Sequence, residues 1–225
     1  MPPVSHFWGL ILGTVIALLP VINPLASTPV FLAITEGDTP EQRRRQALRG
    51  CVYMVAILVS FLIGGTFIMN FFGISIPGLR IAGGLLVTGI GMNMLTPAKP
   101  EPDDRQRQAE ARAKSDVSFT PLAMPMLSGP GSIAVTIGFT SLSTGWLDYV
   151  AIIIGILVVA VIAYITLNLS GRIVRLIGAN GMSAMTKIMG FLILCIGVQF
   201  VVNGIIGVAT SDEVLGLIRD GLSDR

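Results

Sequence analysis

Leu19–Thr35 reads LPVINPLASTPVFLAIT, an apolar run that carries Pro20, Pro24 and Pro29. Each proline removes a backbone donor and crowds the preceding turn, so a helix through this stretch must break or be held open by neighbours. The pattern returns. A shift of 101 residues superposes Pro20, Pro24, Ser27, Pro29, Ala33 and Thr35 on Pro121, Pro125, Ser128, Pro130, Ala134 and Thr136. Interrupted apolar segments at matching places in two halves of a chain are the sequence pointer to a transporter's binding site.

The class of protein follows from composition. The 225-residue chain is 52% hydrophobic and 12% charged, with a mean hydropathy of +0.79, whereas a soluble domain carries about 25% charged residues. Phe7–Thr35, Cys51–Leu79, Ile81–Ala98, Val117–Leu147 and Ile188–Ser211 contain no Asp, Glu, Lys or Arg. Each approaches or exceeds the ~20 residues that cross a bilayer core. The expected fold is therefore all-α: a polytopic membrane protein of six spans. Met1–His6 carries no Lys or Arg, so the first apolar run is expected to stay as a span and not act as a cleaved leader. A net charge of +2 is too small and too dispersed for nucleic-acid binding. Cys51 and Cys195 fall at or inside spans and read as apolar fillers.

Along the chain, the first span is expected over about 7–19, followed by an unwound PVINPLAST segment and a second half-helix from Pro29, capped by Ser27 or Thr28, to Ile34. Further spans are expected over about 51–72, 81–95, 119–142 (broken at Ser128-Gly129-Pro130-Gly131), 146–169 and 188–209. The polar segments 36–49 and 171–187 read as connections. The division is 1–96, a first three-span repeat; 97–116, a solvated and partly disordered cytoplasmic linker; 117–210, a second three-span repeat; and 211–225, an extracytoplasmic tail opened by Thr210 and Glu213. An odd number of spans per half makes the repeats inverted, with discontinuous first and fourth helices. Arg43, Arg44, Arg45 and Arg49, the basic residues of the linker, and Arg172, Arg175 and Lys187 collect on one face; the other has Arg80, Arg219 and Arg225. The positive-inside rule then puts both termini outside, with Trp8, Trp146 and Tyr149 in the outer aromatic belt.

Half-helix ends inside a bilayer are electrostatically active. Amides at a helix start favour a carboxylate, and carbonyls at a helix stop favour an ammonium group or sodium ion. The expected donors are the amides near Val30 and Phe31 and near Gly131 and Ser132; the expected acceptors are carbonyls near Val21–Asn23 and Ala123–Met126. Two such ends facing each other would suit a zwitterion. Asn23, Ser27, Thr28 and Ser128 add side-chain donors and acceptors, and Gly129 and Gly131 let a ligand approach the backbone. Asn93 and Gln199 are secondary candidates from the glycine-rich third span and its counterpart. The alternative is that the breaks are kinks relieved by Ser and Thr neighbours. No acidic residue is expected inside the spans, and the single histidine, His6, lies outside them, so a proton relay lacks its usual groups. Neither HExxH nor GxSxG occurs, so no catalytic or metal site and no cofactor is expected. If transport is ion-coupled, sodium held by oxygens fits better than a titrating carboxylate.

Asn23-Pro24-Leu25-Ala26 with Pro29–Thr35, and Pro121–Pro125 with Ser128–Ile133, resemble the two signature segments of the MarC family, also called the NAAT family, of bacterial and archaeal membrane proteins. The resemblance covers about residues 5–208. It implies a cell inner-membrane transporter of small neutral amino acids such as glycine and alanine. Where this chain has Ala26 the family pattern often has Gly, and where it has Met124 a small aliphatic residue; Ala26 is expected to narrow the space beside the first break. Two other readings stay open: an exporter of another small metabolite, and a non-transporting membrane scaffold. The substrate, the direction of transport and the oligomeric state do not follow from the sequence.

Overall fold

The computed structural model describes residues 4–96, 116–140, 143 and 145–211, which are helical with short connections and no strand among them. Of the expected linker over 97–116 only Asp116 is described, and of the expected tail over 211–225 only Ser211. Glu213 lies outside the described residues. Thr210, expected to open the tail with it, instead closes the last helix, its N–H donating to Ile206 O at 2.9 Å. Helix α1 covers Val4–Ile22, α2 Pro24–Ile34, α3 Pro40–Phe72, α4 Ile76–Leu95, α5 Ser118–Leu127, α6 Pro130–Thr140, α7 Trp146–Asn168 and α8 Ser170–Ala209. Five helices are long and apolar enough to cross a membrane: Ser5–Ile22, Pro40–Phe72, Ile76–Leu95, Trp146–Asn168 and Asn180–Ala209. The pair α5–α6, bent by 63°, makes a sixth crossing if taken as one span.

The helix limits correct several expectations. Helix α3 starts at Pro40, not near Cys51, because Thr39 and Gln42 form a reciprocal cap: Gln42 N–H donates to Thr39 Oγ1 at 3.3 Å and Thr39 N–H to Gln42 Oε1 at 2.8 Å. At ~1.5 Å per residue, 33 residues span ~50 Å, so the arginine-rich first turns extend past a ~30 Å hydrocarbon core. Ser75 caps α4, accepting from Gly78 N–H at 3.2 Å, and moves its start from the expected Ile81 back to Ile76. The connection 171–187 is helical too, interrupted at Gly178 (φ 70°, ψ 172°), a conformation glycine adopts at little cost.

Packing fixes the helix directions. Thr14 of α1 lies against Gly155 of α7, and His6 lies 3.5 Å from Asp148, so α1 and α7 run the same way. Gly50 faces Leu122 and Gly65 faces Ile137, so α3 runs with α5 and α6. Helices α4 and α8 are antiparallel and joined by a glycine seam: Gly91 meets Leu194, Gly84 meets Val201 and Gly204 meets Ile81. Small residues let backbones approach where lipid supplies no hydrophobic drive between helices. The core of Leu18, Phe31, Met54, Leu58, Leu127 and Ile152 lies among α1, α2, α3, α5 and α7, while Phe67, Trp8 and Trp146 are exposed. Apolar exteriors of this kind belong in lipid.

Candidate binding site at the two interruptions

The first interruption is one residue wide. Helix α1 continues through Pro20, and Asn23 N–H still donates to Leu19 O at 2.9 Å. Asn23 then takes the left-handed conformation (φ 44°, ψ 64°) and α2 begins at Pro24. The residue before a proline avoids the α region, and asparagine is among the few side chains that visit the left-handed one. Asn23 Oδ1 accepts from Ala26 N–H at 3.2 Å, so Asn23 is the cap, not Ser27 or Thr28. The amides of Val30 and Phe31 consequently lie within α2, and the exposed donor end belongs to its first turn. The Asn23 carbonyl, expected as a ligand acceptor, takes Ser27 N–H and Ser27 Oγ, both at 3.3 Å. Asn23→Ala should destabilise the protein by about 2 kcal/mol, one part for the cap and one for the left-handed backbone, and Asn23→Gly by clearly less; thermal unfolding in detergent measures both.

The second interruption is broader. Thr120 (φ −126°, ψ 121°) and Met124 (φ −127°, ψ 122°), each before a proline, are extended, and both following peptide bonds are cis. Leu122 N–H bonds Val117 O at 3.1 Å and Ser128 N–H bonds Ala123 O at 2.8 Å, five-residue steps that wind α5 wide. The 101-residue shift brings Met124 onto Asn23, so both halves leave helical geometry at the residue before their second proline. In the second half the chain turns again at Ser128-Gly129 before α6 starts. Asp116 steadies the entry: its carboxylate accepts from Ser118 N–H at 2.8 Å and from Ser118 Oγ, and pairs with Arg49 Nη1 at 2.8 Å. The two Ser118 bonds, then Arg49, hold the Asp116 carboxyl below the usual range. The stabilisation from this exposed clamp is therefore present above the ordinary carboxylate pKa and fades as pH falls through the lowered value.

The two interruptions meet. A Cβ on Gly131, in the first turn of α6, would lie 3.3 Å from Val21 Cγ1 near the end of α1 and 3.1 Å from Ile90 Cδ1 of α4. Gly131 and Ser132 precede the first ladder bond of α6, Ile133 N–H to Gly129 O at 3.1 Å. Ser132 Oγ donates to Gly129 O at 2.9 Å and Thr28 Oγ1 to Leu25 O at 2.7 Å, so both hydroxyls serve their own helices. Gly129 is needed by the turn itself, since a Cβ there would sit 2.9 Å from Pro125 O. Ser128 differs: it is fully buried and, among the described residues, its hydroxyl has no hydrogen-bond partner. That is a costly state for a polar group unless something else binds it.

Each interruption opens onto its own cavity. Asn23, Ser27, Met94, Met126 and Thr186 line one of about 310 Å³, where Asn23 Nδ2 is 3.9 Å from Met94 Sδ. Ser128, Met124, Ile133, Ala134 and Leu79 line another of about 380 Å³, almost wholly apolar. Two spaces thus adjoin a shared α1–α6 junction. Asn93 is exposed on α4 and lines neither. Gln199 is exposed on α8, where its Nε2 donates to Asn203 Oδ1 at 2.9 Å. Met94, Met126 and Thr186 carried no local signal: their place at the Asn23 cavity comes from helix packing.

One acid departs from the expectation. Asp148 lies in the first turn of α7, is buried, faces His6 Nε2 at 3.5 Å and accepts from Gly145 N–H at 3.3 Å. Its position three residues after Gly145, at the start of an apolar run, was the available sequence signal. Among the described residues no three His, Cys, Asp or Glu side chains stand close enough to hold a metal ion.

An all-helical bundle with five to six crossings, two of its apolar segments broken at prolines and joined at a junction, defines a multi-pass integral membrane protein. A profile described as MarC family integral membrane protein matches residues 8–209. The UPF0056 inner membrane protein MarC of Citrobacter koseri is 42% identical over 206 residues, 87% of this chain and 93% of that protein. The protein of the same name from Escherichia coli strain K12 shows the same identity and coverage. The chain belongs to the MarC family. No solved structure matches it.

Proposed function

We propose that the protein is an inner-membrane carrier of small neutral amino acids, with the zwitterion held at the α1–α6 junction. The observation that carries this reading is the unpartnered, fully buried hydroxyl of Ser128 at the head of α6, beside first-turn amides that favour a carboxylate. Gly131 against Val21 brings the other broken helix to the same place. The inner membrane is the location named for the relatives from Citrobacter koseri and Escherichia coli.

The helix directions support two inverted three-span repeats. Helix α1 runs with α7, α3 runs with α6, and α4 runs against α8. Inversion requires each helix to oppose its counterpart in the other half. The α4–α8 pair does so directly; Arg44 near the start of α3 bonds Tyr164 near the end of α7, so that pair opposes as well. The basic residues at the start of α3 and around Arg172 and Arg175 put that face in the cytoplasm and both termini outside. The junction offers hydroxyls and backbone groups and no titrating side chain, which favours sodium over a proton if transport is coupled, and favours transport over catalysis.

The test is uptake of labelled glycine or alanine into proteoliposomes. Ser128→Ala should lower flux about tenfold, the weight of one lost hydrogen bond to a charged group, while raising stability by about 1 kcal/mol because an unsatisfied hydroxyl is gone. Unchanged flux with intact protein would count against the junction as the binding site. Wild-type protein that moves neither amino acid would count against the substrate class.

A further inference from the structure

A groove of about 600 Å³ runs between α3 and α7 and is lined almost entirely by apolar groups, with Leu48, Val52, Val55 and Ser60 on one wall and Leu157 and Tyr164 on the other. Its size falls within the range of pockets that hold small ligands. Along α3 it extends over the thirteen residues from Leu48 to Ser60, ~18 Å of helix. One leaflet of a bilayer core is ~15 Å deep. The groove therefore starts at the arginine-bearing end of the bundle and reaches about the middle of the hydrocarbon, the course of one acyl chain. Ser60 does not make its deep end polar, because its hydroxyl donates to Ala56 O at 2.7 Å.

The mouth is cationic. Arg44 stands one turn before Leu48, and its Nε donates to Tyr164 Oη at 3.0 Å. That bond fixes the guanidinium over the opening and ties the two walls together. Among the described residues the two terminal nitrogens of Arg44 make no hydrogen bond, so the planar fork presents donors in the geometry that phosphate oxygens accept. Arg49, further along the same helix, is already paired with Asp116. Arg45 is exposed but belongs to neither groove wall.

We infer that the α3–α7 groove is a binding site for an anionic phospholipid, with one acyl chain lying along Leu48–Ser60 and the phosphate on Arg44. The apolar length and the cation at its shallow end match the two parts of such a lipid, and basic pockets between membrane helices bind headgroups in this way. This assignment is independent of what crosses at the α1–α6 junction.

Purified protein in mixed micelles with equal phosphatidylglycerol and phosphatidylcholine of the same acyl chains, delipidated stepwise and weighed by native mass spectrometry, tests it. Wild type should retain phosphatidylglycerol over phosphatidylcholine by about fivefold, the weight of one basic side chain at an anionic surface. Arg44→Ala should bring the ratio near one, and Arg45→Ala should leave it unchanged. Ala56→Phe, which fills the groove and keeps every charge, should lower retention of both lipids. Equal retention by wild type overturns the inference, as does an Arg45→Ala loss equal to that of Arg44→Ala. So does full retention by Ala56→Phe, or an Ala56→Phe protein that changes only its oligomeric state, which would give the groove to a second copy.

Discussion

Gly91→Val is expected to leave no folded protein. A Cβ at this position would lie 2.6 Å from Leu194 N and 2.8 Å from both Gly190 O and Leu194 Cα. These are main-chain atoms of α8, which cannot rotate away as a side-chain end could. Relief requires moving the helices apart, and that opens the neighbouring close approaches, where a Cβ on Gly84 would lie 2.7 Å from Gly197 O and one on Gly197 would lie 2.5 Å from Thr88 N. Overpacking a well-fitted core costs about 1–3 kcal/mol even where neighbours can shift; here Gly91→Ala should reach at least the top of that range, and valine should exceed the stability of the bundle. Size-exclusion profiles and thermal unfolding in mild detergent measure the effect. Gly89→Ala is the control, because nothing lies within 4 Å of a Cβ there; the greater helix propensity of alanine should make that variant neutral or up to about 1 kcal/mol more stable. Equal behaviour of the two alanine variants would refute close backbone contact between α4 and α8.

Gly131→Leu should have the largest effect on transport without loss of the fold. The atoms nearest a Cβ at Gly131 are side-chain ends, Ile90 Cδ1 at 3.1 Å and Val21 Cγ1 at 3.3 Å, and these can give way at a cost of about 1–3 kcal/mol. The added isobutyl group would then occupy the junction between the two interrupted helices and screen the first-turn amides of α6. Flux of glycine or alanine should fall by at least tenfold, more than for Ser128→Ala, because both the space and the donors are lost. Gly131→Ala should give an intermediate rate. A Gly131→Leu protein that is monodisperse and transports at the wild-type rate would show that the substrate does not pass the junction.

The contrast between these two glycines shows how little local sequence says about their roles. Both sit in apolar runs with glycine neighbours. One faces the backbone of another helix and the other faces movable side chains, a difference that only the packed bundle creates. Asn93 and Gln199 make the same point in reverse: their equivalent places in glycine-rich spans make them secondary candidates, yet both are exposed. On a helix, a rotation of ~100° per residue separates an inward from an outward position, and polar residues too sparse to form a stripe give no reading of that angle.

What the sequence determined by itself was the set of elements and the places where they fail. Charge-free runs require burial in lipid, lipid requires helices, and the spaced prolines forbid uninterrupted helices at two sites; each is a local consequence of backbone chemistry. Capping chemistry is only partly legible: spacing points to Ser27 or Thr28, whereas the cap is Asn23, four to five residues earlier, and Thr39 and Gln42, whose reciprocal bonds lengthen α3, lie in a polar stretch that reads as a connection. The tertiary structure alone decided that the first interruption is a single left-handed residue, that the second has two extended residues and a 63° bend, and that the two meet through Val21 and Gly131 with separate cavities on either side. It also decided that Ser128, out of four hydroxyl candidates, is left without a partner among the described residues. The reason is physical: a hydrogen bond within three or four residues can be read from spacing, but whether a group finds a partner across helices depends on rotation, depth and crossing, which are set by the packing of the whole bundle.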